Sequence, residues 1–342
     1  MSTAPVPSRA VLVDRPGRHR LTSGPVPEPG PGEVRVQVAA AGICMSDREV
    51  YDGHRDPRYV RYPVVPGHEW SGTVEAVGPG VDPALTGRRT VAEGFRSCGS
   101  CERCRGGETS LCTSGYDETG FTRPGAFADH VVVPARLLHP LADDADLRAA
   151  ALLEPAAVVA AAVRAGAPEP GERIAVVGAG TLGLLTVQLL AAVSPGELTV
   201  IDPRDERARQ ALHFGASEVL APKEAGEVHG RYDLVVETAG AATTAADACL
   251  LARRGGRVVL TGMFAPGATG IDPVHLSLSQ LTVRSVFGAS SASWSYAVRA
   301  FTAGLLDPAA LITHEFPLER FADAVALVGG GGAGTGKVLM RP

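Results

Sequence analysis

The chain is short of positive charge: 32 Lys and Arg stand against 37 Asp and Glu, giving a formal net charge of −5 in 342 residues. A surface that holds nucleic acid by neutralising phosphates needs a cationic excess, so that class is excluded and a small molecule is the expected partner. Cysteine is scarce as well, at six residues, which excludes a disulfide-stapled scaffold. The stretch from Met1 to Asp14 carries Pro5 and Pro7 and no long apolar core, so it does not read as a secretory signal and a cytoplasmic protein is expected. No tandem repeat is present. Apolar residues, by contrast, make up 45% of the chain, ample for a packed core, and the length suggests two domains.

One segment, Ile174 to Val193, has no charge for twenty residues and is long enough to span a bilayer. Gly178, Gly180 and Gly183 break its first half, however, and it divides into a β-branched run, a glycine turn and an apolar helix. No membrane segment is expected.

From Arg9 to Val133 the sequence reads as β structure. Val34 to Val38 and Gly72 to Val77 alternate apolar and polar residues, and Ala128 to Val133 adds a further β-rich run. After Glu154 short apolar runs alternate with alanine-rich helical segments: Arg173 to Val177, Leu198 to Ile201, Asp233 to Val236 and Arg257 to Leu260. That is the pattern of a parallel sheet covered by helices on both faces. The tail gives helical runs at Ser293 to Ala303 and Leu318 to Val328 and a last strand at Lys337 to Met340. Gly329 to Gly332 reads as a loop, because no strand leads into it and no helix follows directly.

Gly178-Ala179-Gly180-Thr181-Leu182-Gly183 follows a strand and opens a helix. In that setting the first glycine allows a tight turn, the second lets a pyrophosphate approach the backbone N–H groups, and the third lets helix and strand pack closely. Asp202 ends the next strand, nineteen residues beyond Gly183, where a carboxylate accepts hydrogen bonds from ribose hydroxyls. It would repel a 2′-phosphate, so NAD is the expected cofactor. Arg204 and Arg207 keep NADP as the alternative.

Cys98, Cys101, Cys104 and Cys112 supply four thiolates at a spacing that closes a tetrahedral, structural Zn²⁺ site. Cys44 and His68 are separate from this cluster. Together with a carboxylate they would form a mixed-ligand zinc site with an open position, the arrangement of catalytic zinc. Cys249 has no partner in this scheme and reads as a small buried hydrophobe. Arg55, Arg58 and Arg61, interleaved with Tyr59 and Tyr62, read as a solvated surface loop, with recognition of a substrate anion as the alternative.

Taken together, Cys44-x-Ser46-Asp47, Gly67-His68-Glu69, the four-cysteine lobe, Glu154-Pro155, the glycine motif with Asp202, Glu237-Thr238-Ala239-Gly240, Gly255-Gly256-Arg257-Val258-Val259 and Gly336-Lys337 resemble the zinc-dependent medium-chain dehydrogenases, the alcohol, sorbitol and threonine dehydrogenase family. The resemblance implies an α/β protein: a GroES-like, β-rich catalytic domain plus a Rossmann domain with a doubly wound parallel sheet. Residues 1–155 would form the first, with a zinc lobe at 95–115. Residues 156–290 would bind the nucleotide, and 291–342 would return to the catalytic domain.

The resemblance makes Cys44 and His68 catalytic-zinc ligands, with Glu154 where alcohol dehydrogenases place a second cysteine and Glu69 as a neighbouring carboxylate. It implies two Zn²⁺ per chain, NAD contacts extended to Thr238 and Thr261, and a homodimer or homotetramer. Ser46 would pass on the substrate proton, and Asp47 would hold the tautomer of His68. Many relatives end the relay with a histidine where this chain has Glu49. Glu49, His54 or water would take that place. Glu154-Pro155 resembles the polyol and threonine branch. Tyr62 to Gly72 and Gly120 to Arg123 are most similar to the dehydrogenases of aminocyclitol antibiotic biosynthesis, implying a polyol, cyclitol or amino-sugar substrate.

Overall fold

A computed structural model describes residues 7–264, 267–329 and 334–342. Gly330, Gly331 and Gly332 of the glycine run lie outside the described residues. The chain divides into two compact units, one formed by 1–154, 290–298 and 308–342, the other by 155–289 and 299–307. The segment 299–307 therefore belongs with the second unit, where the sequence had suggested that all of 291–342 returns to the first. The reason is local: the backbone N–H of Asp307 donates to Gln188 Oε1 at 2.6 Å, fastening the segment to an apolar helix of the second unit.

In the first unit a seven-stranded sheet is built around Glu33–Ile43. That strand pairs antiparallel with Glu69–Val77, with His130–Pro134 and with Lys337–Arg341. Its valines at 34, 36 and 38 alternate inward as the sequence pattern requires, but from Ala40 to Ile43 every residue is buried. The strand enters the interior just before Cys44. Register does the rest: Gly42 lies opposite Glu69 on one side and Leu339 on the other, so three segments far apart in sequence end side by side.

The second unit holds a six-stranded sheet, all parallel, in the order Glu218–Leu220, Glu197–Ile201, Arg173–Val177, Tyr232–Glu237, Ala252–Leu260, Thr282–Ser285. In sequence order this is 3-2-1-4-5-6, the doubly wound arrangement, whose ligand crevice opens where the order reverses at the first strand. The uncharged stretch resolves into the strand Arg173–Val177, a turn and the helix Thr181–Ala191. Among the described residues no helix is long and apolar enough to cross a membrane. The two strands missed in the sequence, Glu218–Leu220 and Thr282–Ser285, are short and lie at the sheet edges, where no two-faced burial imposes an apolar run.

Phe321 is fully buried in the first unit, with its ring 5.1 Å from His19, 5.6 Å from Tyr51 and 5.7 Å from Phe127. Phe321→Ala leaves a cavity among those rings. It is expected to cost about 3–5 kcal/mol, read as a lower midpoint of thermal or denaturant unfolding.

Candidate active site and cofactor site

Cys44 is the N-cap of the helix Met45–Asp52. A helix N-terminus stabilises a thiolate, so the position suits a metal-binding sulfur. Asp47, in the first turn of that helix, is fully buried. Its Oδ2 accepts from the Cys44 N–H at 2.8 Å and its Oδ1 from the Gly67 N–H at 3.2 Å, while His68 Nδ1 lies 3.4 Å from the same Oδ1. Asp47 thus faces one imidazole nitrogen, and Cys44 also hydrogen-bonds the His68 ring. Burial works against the imidazolium, but Asp47 and Cys44 outweigh it and raise the His68 pKa well above its usual value.

The donor atoms of Cys44, His68 and Glu69 lie within 4.8 Å of one another. One sulfur, one imidazole nitrogen and one carboxylate oxygen, buried or half-buried and converging, fit a zinc ion with an open position. Glu154 is not in that set. It stands close enough for Glu69 and Glu118 to add to the effect of burial, which pushes its carboxyl up to about 8.

A residue without an assigned role in the sequence completes the surroundings. Lys337 Nζ pairs with Glu69 Oε2, both groups buried. A Cβ at Gly42 would stand 2.3 Å from that same oxygen and 2.8 Å from Lys337 Cε, so glycine leaves the space in which the pair meets. A signal was available: the chain has only two lysines, Lys223 and Lys337, and one of them interrupts an apolar strand.

Ser46 is half-buried in the first helical turn beside Cys44. Glu49 is held by Arg55 Nη1 at 3.5 Å, whereas His54 is exposed. Arg55 corrects the picture of a solvated arginine loop: only 11% of its side chain is exposed, and its guanidinium lies 4.5 Å from the centroid of the Phe121 ring. Arg58, paired with Asp56, and Arg61 are exposed as expected. Glu118, buried with its carboxyl raised by that burial, and Tyr116 beside it were not singled out in the sequence, because isolated acidic and aromatic residues in an irregular segment carry no periodic signal.

The four remaining clustered cysteines also converge within 4.8 Å, all as free thiols. Cys98 Sγ and Cys104 Sγ are 3.9 Å apart, close to the separation of about 3.8 Å that sulfurs 2.3 Å from a tetrahedral zinc must have. Backbone N–H groups point at the sulfurs: Cys101 N–H donates to Cys98 Sγ at 3.3 Å and Cys98 N–H to Cys112 Sγ at 3.3 Å. Hydrogen bonds from the Ser114 and Ser100 side chains, with backbone N–H donors, hold Cys98 down to about 5, while burial pushes Cys104 up to about 11. Cys249 is buried in the second unit, its thiol also raised by burial to about 11.

In the second unit Gly178 has φ +99°, and a Cβ at Gly183 would come within 1.9 Å of Gly178 O. Both glycines are therefore required by the turn itself. Gly180 caps the helix Thr181–Ala191 with open space around it, and Thr181 and Leu182 are half-buried in its first turn. Asp202 Oδ2 accepts from the Ala179 N–H at 2.7 Å, tying the strand end to the glycine turn. Arg204 grips the same carboxylate through Nε at 2.8 Å and Nη2 at 2.8 Å, while Arg207 is half-buried nearby.

The Thr238 hydroxyl donates to Val177 O at 2.9 Å, and the Thr261 hydroxyl to Glu237 O at 2.6 Å, so each fixes a strand end. Glu237 itself is fully buried. Its Oε1 accepts from the Ala239 and Gly240 N–H groups at 2.8 and 2.7 Å and from the Thr244 hydroxyl at 2.8 Å, which accounts for the Glu-Thr-Ala-Gly segment as a fastener of this turn.

A β-rich unit with two converging metal-donor sets, and a doubly wound unit with a glycine turn, together define a metal-dependent, dinucleotide-linked oxidoreductase. Residues 30–143 match the alcohol dehydrogenase GroES-like domain and residues 181–303 the zinc-binding dehydrogenase domain. The chain belongs to the zinc-binding alcohol dehydrogenase family. It is 30% identical to human sorbitol dehydrogenase over 95% of this chain and 94% of that protein. It is 31% identical to L-threonine 3-dehydrogenase of Bacillus subtilis over 94% of each. The crystal structure of RspB from Escherichia coli CFT073, complexed with NADH, superposes with a TM-score of 0.91 at 30% identity, covering 98% of this chain and 100% of that one.

Metal analysis of the purified protein should give about two zinc per chain, and Cys101→Ala about one. Because a proton on His68 competes with the metal, zinc uptake at the Cys44 site should release protons and weaken as pH falls, measurable by titrating metal-free protein at several pH values.

Proposed function

We propose that this protein oxidises a secondary alcohol of polyol, cyclitol or amino-sugar type to the ketone, with NAD as acceptor. The observation that carries the reading is the convergence of Cys44, His68 and Glu69 around the carboxylate of Asp47. Bound zinc would act as a Lewis acid towards the substrate hydroxyl, and bound NAD would take the hydride. The protein's own groups do the rest. Cys44 and His68 hold the metal, Asp47 fixes the imidazole, and Glu69 or Glu154 supplies a further oxygen. Ser46 takes the hydroxyl proton towards solvent. Glu49 is the side chain of choice for the end of that path, since it is half-exposed on the same helix while His54 projects into solvent.

Sorbitol and threonine dehydrogenases among the relatives support the secondary-alcohol chemistry. Cytoplasmic residence and a role in aminocyclitol antibiotic biosynthesis are part of the same proposal. NAD is favoured because Asp202 presents a carboxylate beside the glycine turn, and NADP is the second reading because Arg204 already sits on that carboxylate. A homodimer or homotetramer is supported by the second unit alone: its edge strand Thr282–Ser285 is largely exposed, as are Val274 at 62% and Leu278 at 69%.

A panel of polyols, cyclitols and amino alcohols assayed with NAD and NADP tests the proposal. Turnover should appear with a cyclic or open-chain polyol and NAD, and fall at low pH, where the hydroxyl keeps its proton. Cys44→Ala should abolish it while the unfolding midpoint stays within a few degrees. Full turnover by Cys44→Ala after chelation would sink the reading. Asp202→Ala should lower the preference for NADH over NADPH about tenfold or more in binding titrations, by removing the ribose acceptor and freeing Arg204.

A further inference from the structure

Glu118 is 5% exposed, within the first unit and next to the metal-donor set. Its charge is felt by His68 and Glu154 and it feels Asp47 in turn, so it belongs to the same electrostatic neighbourhood. One of its oxygens, Oε2, accepts from the Tyr116 hydroxyl. The other, Oε1, takes no hydrogen bond among the described residues. Gly94 lies against it, where a Cβ would come within 3.1 Å of Oε1.

Arg55 completes this wall. Its Nη2 reaches Tyr116 Oη at 3.4 Å and its Nη1 reaches Glu49 Oε2 at 3.5 Å, both long for such bonds, and its buried Nε has no partner. The guanidinium stacks on Phe121, whose other neighbour is the His68 ring at 4.8 Å. The layers therefore run His68, Phe121, Arg55, with Tyr116 and Glu118 closing the side.

The charge balance decides what such a wall reads. Asp47, Glu69, Glu118 and Glu154 contribute four carboxyls, and Glu49 lies beyond them, whereas Lys337 and Arg55 are the cations. Lys337 is committed to Glu69 and Arg55 faces Glu49 and Tyr116. An anionic substrate would enter a surplus of negative charge, while a cationic one relieves it.

We infer that Glu118 is a specificity-determining residue whose free oxygen receives a protonated amino group carried by the substrate close to the oxidised carbon, with Tyr116 and Arg55 as positioning residues that aim it. The inference rests on the proposed secondary-alcohol chemistry and narrows it to amine-bearing polyhydroxy compounds over neutral polyols and over phosphorylated or carboxylated ones.

The test compares an inositol with the inosamine that differs from it by one amino group, using the zinc-loaded enzyme. Steady-state kcat and KM are measured with NAD, and equilibrium binding of each compound by calorimetry. Wild type should prefer the inosamine. Glu118→Gln should lose about tenfold or more of that preference through KM, with kcat for the inositol retained, and Glu118→Asp should restore part of it. Arg55→Met should move the preference the other way, since the acidic groups then face the amine uncompensated. Zinc content and unfolding midpoints of all variants separate folding defects from recognition. Equal affinity of wild type for both compounds, or equal losses on both in Glu118→Gln, would overturn the inference. If neither compound is oxidised but calorimetry shows the Glu118-dependent preference, the recognition stands and the proposed reaction falls.

Discussion

The carboxylate of Asp47 is the joint on which the active-site half of this molecule depends. It is fully buried, and it is compensated by the backbone N–H groups of Cys44 and Gly67 and by the His68 ring. An isolated buried carboxylate would be strongly unfavourable, so these contacts are obligatory and not decorative. Because they come from two chain segments, satisfying the charge also brings the sulfur and the imidazole together. The sheet prepares that meeting: Glu33–Ile43 delivers Cys44 at its end, and its antiparallel neighbour Glu69–Val77 begins just after His68.

A second charge is balanced in the same way. Glu69 meets Lys337 across the third adjacent strand, in space that Gly42 leaves open. The donor set is then one thiolate, one imidazole and a carboxylate whose charge is already partly compensated. Such an arrangement places a divalent ion among ligands that do not repel one another unchecked, while Glu154 and Glu118 remain as carboxyls raised by burial behind it. Across the chain, the structural site follows a simpler rule, four sulfurs turned inward by backbone N–H donors within one short lobe.

What the sequence made legible was what local chemistry dictates. The four-cysteine spacing, the glycine turn with Asp202, and the alternation of Val34, Val36 and Val38 each require particular residues at particular offsets, and each matches a feature of the fold. The long-range pairings were not legible. Lys337 reaches Glu69 from 268 positions away, and nothing in its own neighbourhood announces a buried ion pair. Arg55 was read as solvated because arginine-rich loops usually are, whereas stacking on Phe121 and the acceptors Glu49 and Tyr116 draw it inward. Short edge strands were missed for the related reason that their pattern is weak when one side is open.

The central claim is that Asp47 organises a metal site from Cys44 and His68, and Asp47→Asn tests it most directly. The substitution keeps the shape and removes the charge that faces His68. Zinc affinity at the Cys44 site, measured by competition with a chromogenic chelator, should fall about 10–100-fold while the zinc of the four-cysteine lobe is retained and the unfolding midpoint changes little. Unchanged affinity at both sites would contradict the account.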